Sequence, residues 1–563
     1  MIASLSPGLV LIAGALLVPL LAGRLRNIYM LALPVLGAAQ LFMLDHGSFG
    51  QVEIFDYTLT LVRVDKLSVV FGTIFLLASF YNVIYAMHER DAMQEVSALV
   101  YAGSATAAVF AGDLITLFIF WELTAISSVF LIWARRTRAA YQAGMRYLII
   151  QVGSGVILLA GVILRAEQTG SIGFDHLGLT DLATTLIFLA FGIKSAFPLL
   201  HNWLQDAYPE ATVTGTVVLS AFTTKLAVYA LARGYAGTEI LVYIGAIMTA
   251  FPVFFAVIEN DLRRVLAFSL NNQVGFMVAG IGVGTPLALN GAVSHAFVHV
   301  IYKSLLFMSM GAVLHRVGTI KASELGGLFR SMPLTTAFCI VGAASISAFP
   351  LFSGFVTKSL TLSGAAEMGY VISWLVLVFA SAGVLEHSGI KIPYFAFFAH
   401  DRGLRCKEAP ANMLVAMGIA AFLCIAIGIY PDPLYAMLPY PVDFEPYTTS
   451  HVLSQLQLLV FAMLAWAILI RTGLYPQELP SINLNTDWVY RKGLPVVVRR
   501  VMDVGGAARK VALAGAERRL ARFITQVYRH HGPEGIMART WPTGNTVLWV
   551  AVLLGAYLFL YYV

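Results

Sequence analysis

The sequence predicts an all-α protein that crosses a membrane many times. Of its 563 residues, 59% are hydrophobic and only 12% are charged, which is roughly half the charged fraction of a soluble protein. Its mean hydropathy is +0.80. In lipid, only helices and closed barrels satisfy the backbone, and long continuous apolar runs exclude the alternating strands of a barrel.

Runs of about 20 apolar residues, the length that crosses a bilayer, predict about sixteen transmembrane helices. Their approximate cores are 7–22, 27–43, 67–87, 93–112, 114–133, 143–164, 182–204, 212–232, 239–258, 264–284, 287–314, 333–364, 370–398, 411–430, 453–471 and 543–563. Lysine and arginine collect in the odd-numbered connections, as around Arg135 and Arg263, whereas the even-numbered connections are richer in acids. Because basic loops face the cytoplasm, we expect a multi-pass protein of the inner (cytoplasmic) membrane with both termini outside.

One long segment, 473–542, does not span. From Arg491 to Thr540 it holds eleven basic and three acidic residues, a net charge of +8 against +6 for the whole chain. Valine, leucine and phenylalanine recur among the bases, which predicts an amphipathic helix lying at the interface against anionic lipid. A solvated basic loop is the alternative. A nucleic-acid partner is not expected for a segment tethered between two spans.

Ionisable residues lie inside the predicted spans, where each charge costs about 2.5–3.5 kcal/mol on insertion scales. They are the lysines Lys194, Lys225, Lys303 and Lys358, together with Glu122, His295 and His299. So many costly groups indicate a relay for protons or cations across the bilayer.

Three of these groups share one helix face. His295, His299 and Lys303 follow each other at intervals of four, which places neighbours about 6 Å apart along the helix. Histidine titrates near neutral pH, so such a column suits proton hopping. Histidines satisfied by local hydrogen bonds are one alternative. A haem site is another, although two haem ligands should come from facing helices.

Proline predicts two interrupted helices. Pro198 removes the amide hydrogen that the carbonyl of Lys194 would bond, so the helix should break there. Pro350 predicts a second interruption close to Lys358. Two broken helices that each carry a lysine indicate inverted repeats around an ion site in the middle of the membrane. A kink without a transport role is the alternative.

Partners for the buried charges follow from electrostatics. Glu122 is the one acid in its span, and Lys194 is its expected partner. A buried carboxylate and a buried ammonium each shift toward the neutral form unless they are paired. Span thirteen adds Glu386, His387 and Lys391, which are candidates to extend the relay outward. A packing role or a water-filled vestibule is an equal alternative for these three.

The residues favour no cofactor and no metal. The cysteines Cys339, Cys406 and Cys424 lie far apart without a CxxC pair, which argues against iron–sulfur, zinc or disulfide chemistry. No segment is typical of nucleotide or flavin binding. We therefore expect a transporter subunit rather than an enzyme, with any redox chemistry in partner subunits.

The stretches that carry these residues resemble a known family. They are WELTAISSVFLIW, FGIKSAFPLLHNWLQDAYPEATVTGTVVLSAFTTKLAVYAL, SHAFVHVIYKSLLFMSMGAVLHRVG and FPLFSGFVTKSL. They look like the proton-conducting antiporter-like subunits of Mrp-type multisubunit Na+/H+ antiporters, the membrane arm of respiratory complex I and membrane hydrogenases. The likeness runs from about residue 66 to 430 and is greatest to the Mrp-type D subunit.

The resemblance implies two inverted five-helix repeats, each with a broken helix. It implies a functional pair of Glu122 with Lys194 and a terminal lysine, Lys358. Between them it implies a central lysine–histidine connection formed by Lys225, His295, His299 and Lys303. The expected segments are N-terminal helices (1–90), a first repeat (91–235), a second repeat (236–400), C-terminal helices (401–472), the basic segment (473–542) and a final anchor helix (543–563).

The implied function is proton translocation within a multisubunit Na+/H+ antiporter, with other subunits, protons and Na+ as partners. The alternative is a proton-coupling subunit of a membrane enzyme complex: complex I-like, hydrogenase or inorganic-carbon uptake. The basic segment and final span resemble the lateral helix and anchor of the distal complex I subunit, which keeps that alternative open. No acidic, oxygen-rich cluster marks a Na+ site, so the residues themselves point to protons.

Overall fold

The computed structural model describes residues 5–54, 57–480, 483–540 and 542–563. The chain forms two compact units, Met1–Asn483 and Leu484–Val563. Twelve helices among the described residues are long and apolar enough to cross a membrane, and three shorter apolar helices accompany them. The predicted class, an α-helical multi-pass membrane protein, is therefore confirmed. The finer division into two repeats stays a prediction.

Five of the first six α-helices begin with a side-chain cap. The six are α1 (Pro7–Ala15), α2 (Gly23–Phe42), α3 (Lys66–Ala86), α4 (Ala92–Val109), α5 (Leu114–Trp133) and α6 (Arg138–Thr169), and α2 is the exception. Asp65, Asp91 and Asp113 each accept a backbone amide at the start of α3, α4 and α5. Such caps satisfy amides that the first turn of a helix leaves unpaired.

A β-hairpin, which the sequence analysis did not predict, separates α2 from α3. Its strands are β1 (Gly47–Ile54) and β2 (Tyr57–Val64), antiparallel with Gly47 opposite Val64. Val62 and Val64 are buried in the core. The alternation of apolar and polar residues in YTLTLVRV is the strand signal that could have revealed it.

The next helices run through the centre of the first unit. They are α7 (Leu182–Ser195), α8 (Asn202–Ala207), α9 (Val213–Ala221), α10 (Thr223–Gly234), α11 (Ile240–Ile258), α12 (Leu262–Val283), α13 (Pro286–Val317), α14 (Pro333–Ile346) and α15 (Ser353–Glu367). The apolar windows of α12 and α13 are 100% and 94% buried. The predicted span of highest polarity, α12, is thus a central helix.

Both interruptions predicted from proline are present, between α7 and α8 and between α14 and α15. They carry the same five residues, SAFPL, at 195–199 and 347–351. The alanine has φ of 66° in the first copy and 57° in the second, and the leucine has 70° and 73°. Two non-glycine residues in the left-handed region are uncommon, so the repeated sequence folds into a repeated backbone. The prolines predicted the two breaks, but the five-residue repeat was not predicted.

The remaining helices of the first unit include a π-helical region. Helix α16 (Val371–Val384) continues through Leu385–Ile390, α17 (Lys391–Pro393) and Tyr394–Phe398, the first and last of which are π-helical. Then follow α18 (Ala411–Ile429), α19 (Asp432–Met437) and α20 (Thr449–Thr472). π-Helical turns are rare and occur frequently at functional sites.

The second unit contains two long helices. Helix α21 (Leu494–His531) has 38 residues and α22 (Thr543–Tyr562) has 20. They correspond to the predicted amphipathic helix and the final span. The segment 473–542 is described apart from residues 481, 482 and 541. Its position against lipid stays a prediction.

Candidate functional site

Every lysine and histidine predicted for the relay is at most 2% exposed. These side chains are Lys194, Lys225, His295, His299, Lys303, Lys358, His387 and Lys391. A buried charge is tolerated only with partners, so the contacts of each group indicate what it does.

Lys194 is held by helix α5. It lies in the last turn of α7, and its ammonium donates to the Trp121 carbonyl at 2.5 Å and to the Thr124 hydroxyl at 2.8 Å. The same nitrogen lies 4.2 Å from the centre of the Trp121 ring. A cation at a helix C-terminus is also favoured by the helix dipole. These contacts fix the ammonium against α5.

Glu122 occupies the neighbouring space. One of its carboxylate oxygens is buried and has no hydrogen-bond partner among the described residues. Gly155 of α6 approaches so closely that an added Cβ would overlap that oxygen. The charges of Glu122 and Lys194 act on each other, but the two groups form no direct ion pair in the described part of the chain. Their pairing as a functional unit stays a prediction.

Lys225 bonds to an interrupted stretch of helix. Its ammonium donates to the carbonyl of Ser220 at 2.6 Å, where the chain bends at Phe222 between α9 and α10. A bend of this kind releases carbonyls from their helical partners. The released carbonyl supplies Lys225 with an acceptor inside the protein.

His295 and His299 have different surroundings on α13. His295 Nδ1 lies 3.0 Å from the Thr357 hydroxyl, and Nε2 lies 3.2 Å from both Gln273 Oε1 and the Tyr302 hydroxyl. The rings of His295 and His299 are 6.3 Å apart, which agrees with the predicted stacking on one face. Neither ring nitrogen of His299 has a partner among the described residues. A buried nitrogen of this kind suits an ordered water or a transient proton.

Lys358 closes the second broken helix. Its ammonium donates to the carbonyl of Ile346, the last residue of α14, at 2.8 Å. It also lies 5.0 Å from the centre of the Phe276 ring, and that ring is 6.2 Å from His295. The terminal lysine therefore lies next to the column on α13.

Hydroxyl groups connect Lys303 to the π-helical region. Lys303 Nζ donates to Ser269 Oγ at 2.9 Å, and Ser388 Oγ donates to the same oxygen at 2.7 Å. His387 Nδ1 lies 2.8 Å from Ser388 Oγ. In this arrangement Ser269 accepts from both Lys303 and Ser388. A hydroxyl can donate and accept at once, so rotation of the two serine hydroxyls would let this Lys303–His387 chain pass a proton across three helices. The sequence analysis included His387 but not the two serines.

Lys391 has two kinds of partner. It donates to the carbonyls of Ala256, Val257 and Glu259, at the end of α11, at 3.2, 2.6 and 2.7 Å. It also forms an ion pair with Glu478 at 2.8 Å. The charge of Glu386 acts on Lys391 as well. Sequence reasoning missed Glu478 because this residue follows α20, outside any predicted span.

The basic groups at the centre of the site interact electrostatically with one another. Lys225, Lys303 and Lys358 all interact electrostatically with His299, and the first two interact with each other. Like charges repel, so a proton on one group disfavours protons on its neighbours. The arrangement thus favours a state in which only a few of these groups carry a proton at the same time. In the portion of the chain that the structure describes, no group of three His, Cys, Asp or Glu could hold a metal.

The chain is similar to membrane subunits of several complexes. Residues 111–384 match the family described as NADH:quinone oxidoreductase/Mrp antiporter, TM. Hydrogenase-4 component B of Escherichia coli is 26% identical, over 67% of this chain and 63% of its own length. NADH-quinone oxidoreductase subunit N of Desulforudis audaxviator is 31% identical, over 57% of this chain and 71% of its own length. The chain spans less than two thirds of the curated relatives that it matches first.

A solved structure shares the fold. A chain in the Mrp complex from Dietzia sp. superimposes with a TM-score of 0.69 at 22% identity, covering 80% of this chain and 99% of the other. At this identity the likeness establishes the fold but not the activity, which has to be argued from the site residues.

Proposed function

Because the chain belongs to the NADH:quinone oxidoreductase/Mrp antiporter transmembrane family, we propose that it is a proton-translocating subunit of a multisubunit membrane complex. The observation that carries the proposal is the Lys303–His387 chain, in which two serine hydroxyls join an ammonium to an imidazole. All four groups are buried. Proton transfer needs donors and acceptors within hydrogen-bond reach, and this chain meets that condition.

Within this role, each part of the relay has its own task. Glu122 and Lys194 form the first exchange site, and Lys225, His295, His299 and Lys303 carry protons through the centre. Lys358 ends one branch, whereas the Glu386, His387 and Lys391 cluster ends the other. The electrostatic interaction of Glu122 with Lys194 supports the first site, and the ring separation of the histidines supports the second.

For the host complex we favour a Mrp-type cation/proton antiporter in the inner membrane, with this chain as its D-like subunit and Na+ as the exchanged cation. The shared fold with a chain of the Mrp complex supports this choice. The alternative is a proton-coupling subunit of a redox complex, which the likeness to hydrogenase-4 component B and to a quinone oxidoreductase subunit favours.

The test uses the assembled complex in sealed vesicles, with a pH-sensitive dye as the readout. We expect Lys194→Ala and Glu122→Ala to abolish proton movement while assembly is retained, because each removes one charged group of the proposed first exchange site. Lys321→Ala, whose side chain is 52% exposed, is the matched control. Near-normal transport by both relay variants would contradict the proposal.

The same vesicles separate the two host complexes. Addition of Na+ to vesicles with an established pH gradient should collapse that gradient if the complex is an antiporter. A gradient that forms only when a redox substrate is supplied, and ignores Na+, would instead favour the enzyme-coupled alternative.

A further inference from the structure

The segment that follows α20 brings a carboxylate into the buried part of the first unit. Glu478 Oε1 lies 2.8 Å from Lys391 Nζ, and the two side chains are 6% and 0% exposed. Both residues lie beyond the 111–384 range of the family match.

Contacts on both sides of Glu478 fix the segment in place. Tyr475 is 6% exposed, and its ring lies 6.4 Å from the rings of both Trp466 and Phe395. On the other side, the Asn483 amide donates to a Glu259 carboxylate oxygen at 3.4 Å. Glu478 thus lies three positions after Tyr475, a residue that is packed into the first unit.

The ion pair continues the Lys303–His387 chain. Lys391 follows His387 by four residues, so the two side chains lie on one side of the helical segment, and the charge of Lys391 acts on His387. Nε2 of His387 is buried and has no partner among the described residues.

The pair lies at one end of its helices. The carbonyls that bind Lys391 belong to the C-terminal end of α11, and the next helix begins with Arg263 and Arg264. Basic connections of this kind face the cytoplasm under the positive-inside rule. Glu478 is therefore placed at the cytoplasmic end of the path.

We propose that Glu478 is the proton-exchange group between Lys391 and cytoplasmic water, a role that rests on the proposed function. For release toward the cytoplasm, an N–H bond of the Lys391 ammonium breaks and an O–H bond forms on the Glu478 carboxylate. This leaves a neutral amine and a neutral acid. Glu478 then releases the proton to cytoplasmic water, and a protonated His387 returns a proton to Lys391 and becomes neutral. Proton uptake from the cytoplasm is the reverse.

The surroundings suit this exchange. Burial raises the pKa of the Glu478 carboxyl, while the Lys391 ammonium opposes the rise. Other charged groups near the pair include Glu259 and Glu386, which interact with Lys391, and Arg264, which lies 4.0 Å from Glu259. The pair thus has charged neighbours of both signs.

The test compares Glu478→Gln and Glu478→Asp in the complete complex in vesicles. Glutamine keeps the shape but cannot take the proton, so we expect the initial rate to fall at least about tenfold. Aspartate should restore part of the rate with a shifted pH profile. Glu367→Gln, an exposed acid at the end of α15, is the control and should leave the rate unchanged.

A purely structural ion pair gives a different result. In that case the glutamine variant would lower thermal stability or yield, but the rate per assembled complex and the pH profile of the aspartate variant would match the parent. That outcome overturns the proposal. Lys303→Ala is measured in the same assay. If Lys303→Ala loses transport but both Glu478 variants transport normally, only this inference is refuted. If Lys303→Ala transports normally, the proposed function is refuted.

Discussion

Ser269→Ala is the most direct test of the Lys303–His387 chain. The Ser269 hydroxyl accepts from Lys303 at 2.9 Å and from Ser388 at 2.7 Å. Its removal deletes an oxygen on α12 that joins Lys303 of α13 to Ser388 in the π-helical region of α16. Among the described residues, the acceptor that Lys303 then retains is the Leu266 carbonyl at 3.4 Å, which is a weak hydrogen bond.

The size of the effect follows from that lost contact. A hydrogen bond to a charged group contributes about 1.5–3 kcal/mol, and each 1.36 kcal/mol corresponds to about tenfold in rate. We therefore expect Ser269→Ala to slow proton movement by about 10- to 150-fold when transfer through this chain limits the rate. Assembly should be nearly unchanged, because alanine fills most of the space of serine.

The assay is the initial rate of dye response in vesicles that contain equal amounts of the complex. Ser309→Ala is the matched control, since Ser309 is equally buried but its hydroxyl donates to the Leu305 carbonyl of its own helix at 2.8 Å. Ser269→Thr retains the hydroxyl and should recover most of the rate. Equal rates for Ser269→Ala and Ser309→Ala would refute the reasoning.

Two further predictions concern other parts of the chain. Gly155→Ala should reduce proton transport in vesicles, as Glu122→Ala should, because the new Cβ would occupy the space of the Glu122 carboxylate. Gly153→Ala is the control and should leave transport unchanged, since its Cβ would meet nothing within 4 Å. A peptide of residues 491–530 should become helical on anionic vesicles and dissociate as salt rises, since each Lys or Arg contributes about 1 kcal/mol that salt screens. Circular dichroism and co-sedimentation test this, and a peptide that stays unstructured and unbound at low salt would exclude the lipid contact.

Much of the fold follows from the sequence because a bilayer imposes a simple rule. Each of the sixteen predicted spans coincides with a helix or an interrupted helix, since about 20 apolar residues and a satisfied backbone leave few alternatives. The proline rule located both interruptions. The β-hairpin was missed because its strand signal, eight alternating residues at 57–64, is far weaker than that of a span.

The site could be predicted only in part. A lysine in an apolar run is conspicuous because it is expensive, and so the lysines, the histidines and Glu122 were found. Ser269 and Ser388 were not, since a serine in a membrane helix usually bonds to its own backbone and costs little. Glu478 lies in a polar segment where acids are common. Only the folded chain shows that its carboxylate meets a buried ammonium.

The two SAFPL interruptions differ in the side chains that donate to the carbonyls just before the break. At the first, the neutral indole of Trp203 donates to the Ile193 carbonyl at 3.0 Å, which leaves the Lys194 ammonium to bond with α5. At the second, the Lys358 ammonium itself donates to the Ile346 carbonyl at 2.8 Å. A charged donor forms a hydrogen bond roughly twice as strong as a neutral one, so loss of the Lys358 proton weakens the contact that closes the second break. The protonation of Lys358 is therefore coupled to the geometry of its broken helix, whereas the protonation of Lys194 is coupled to α5 and to Glu122.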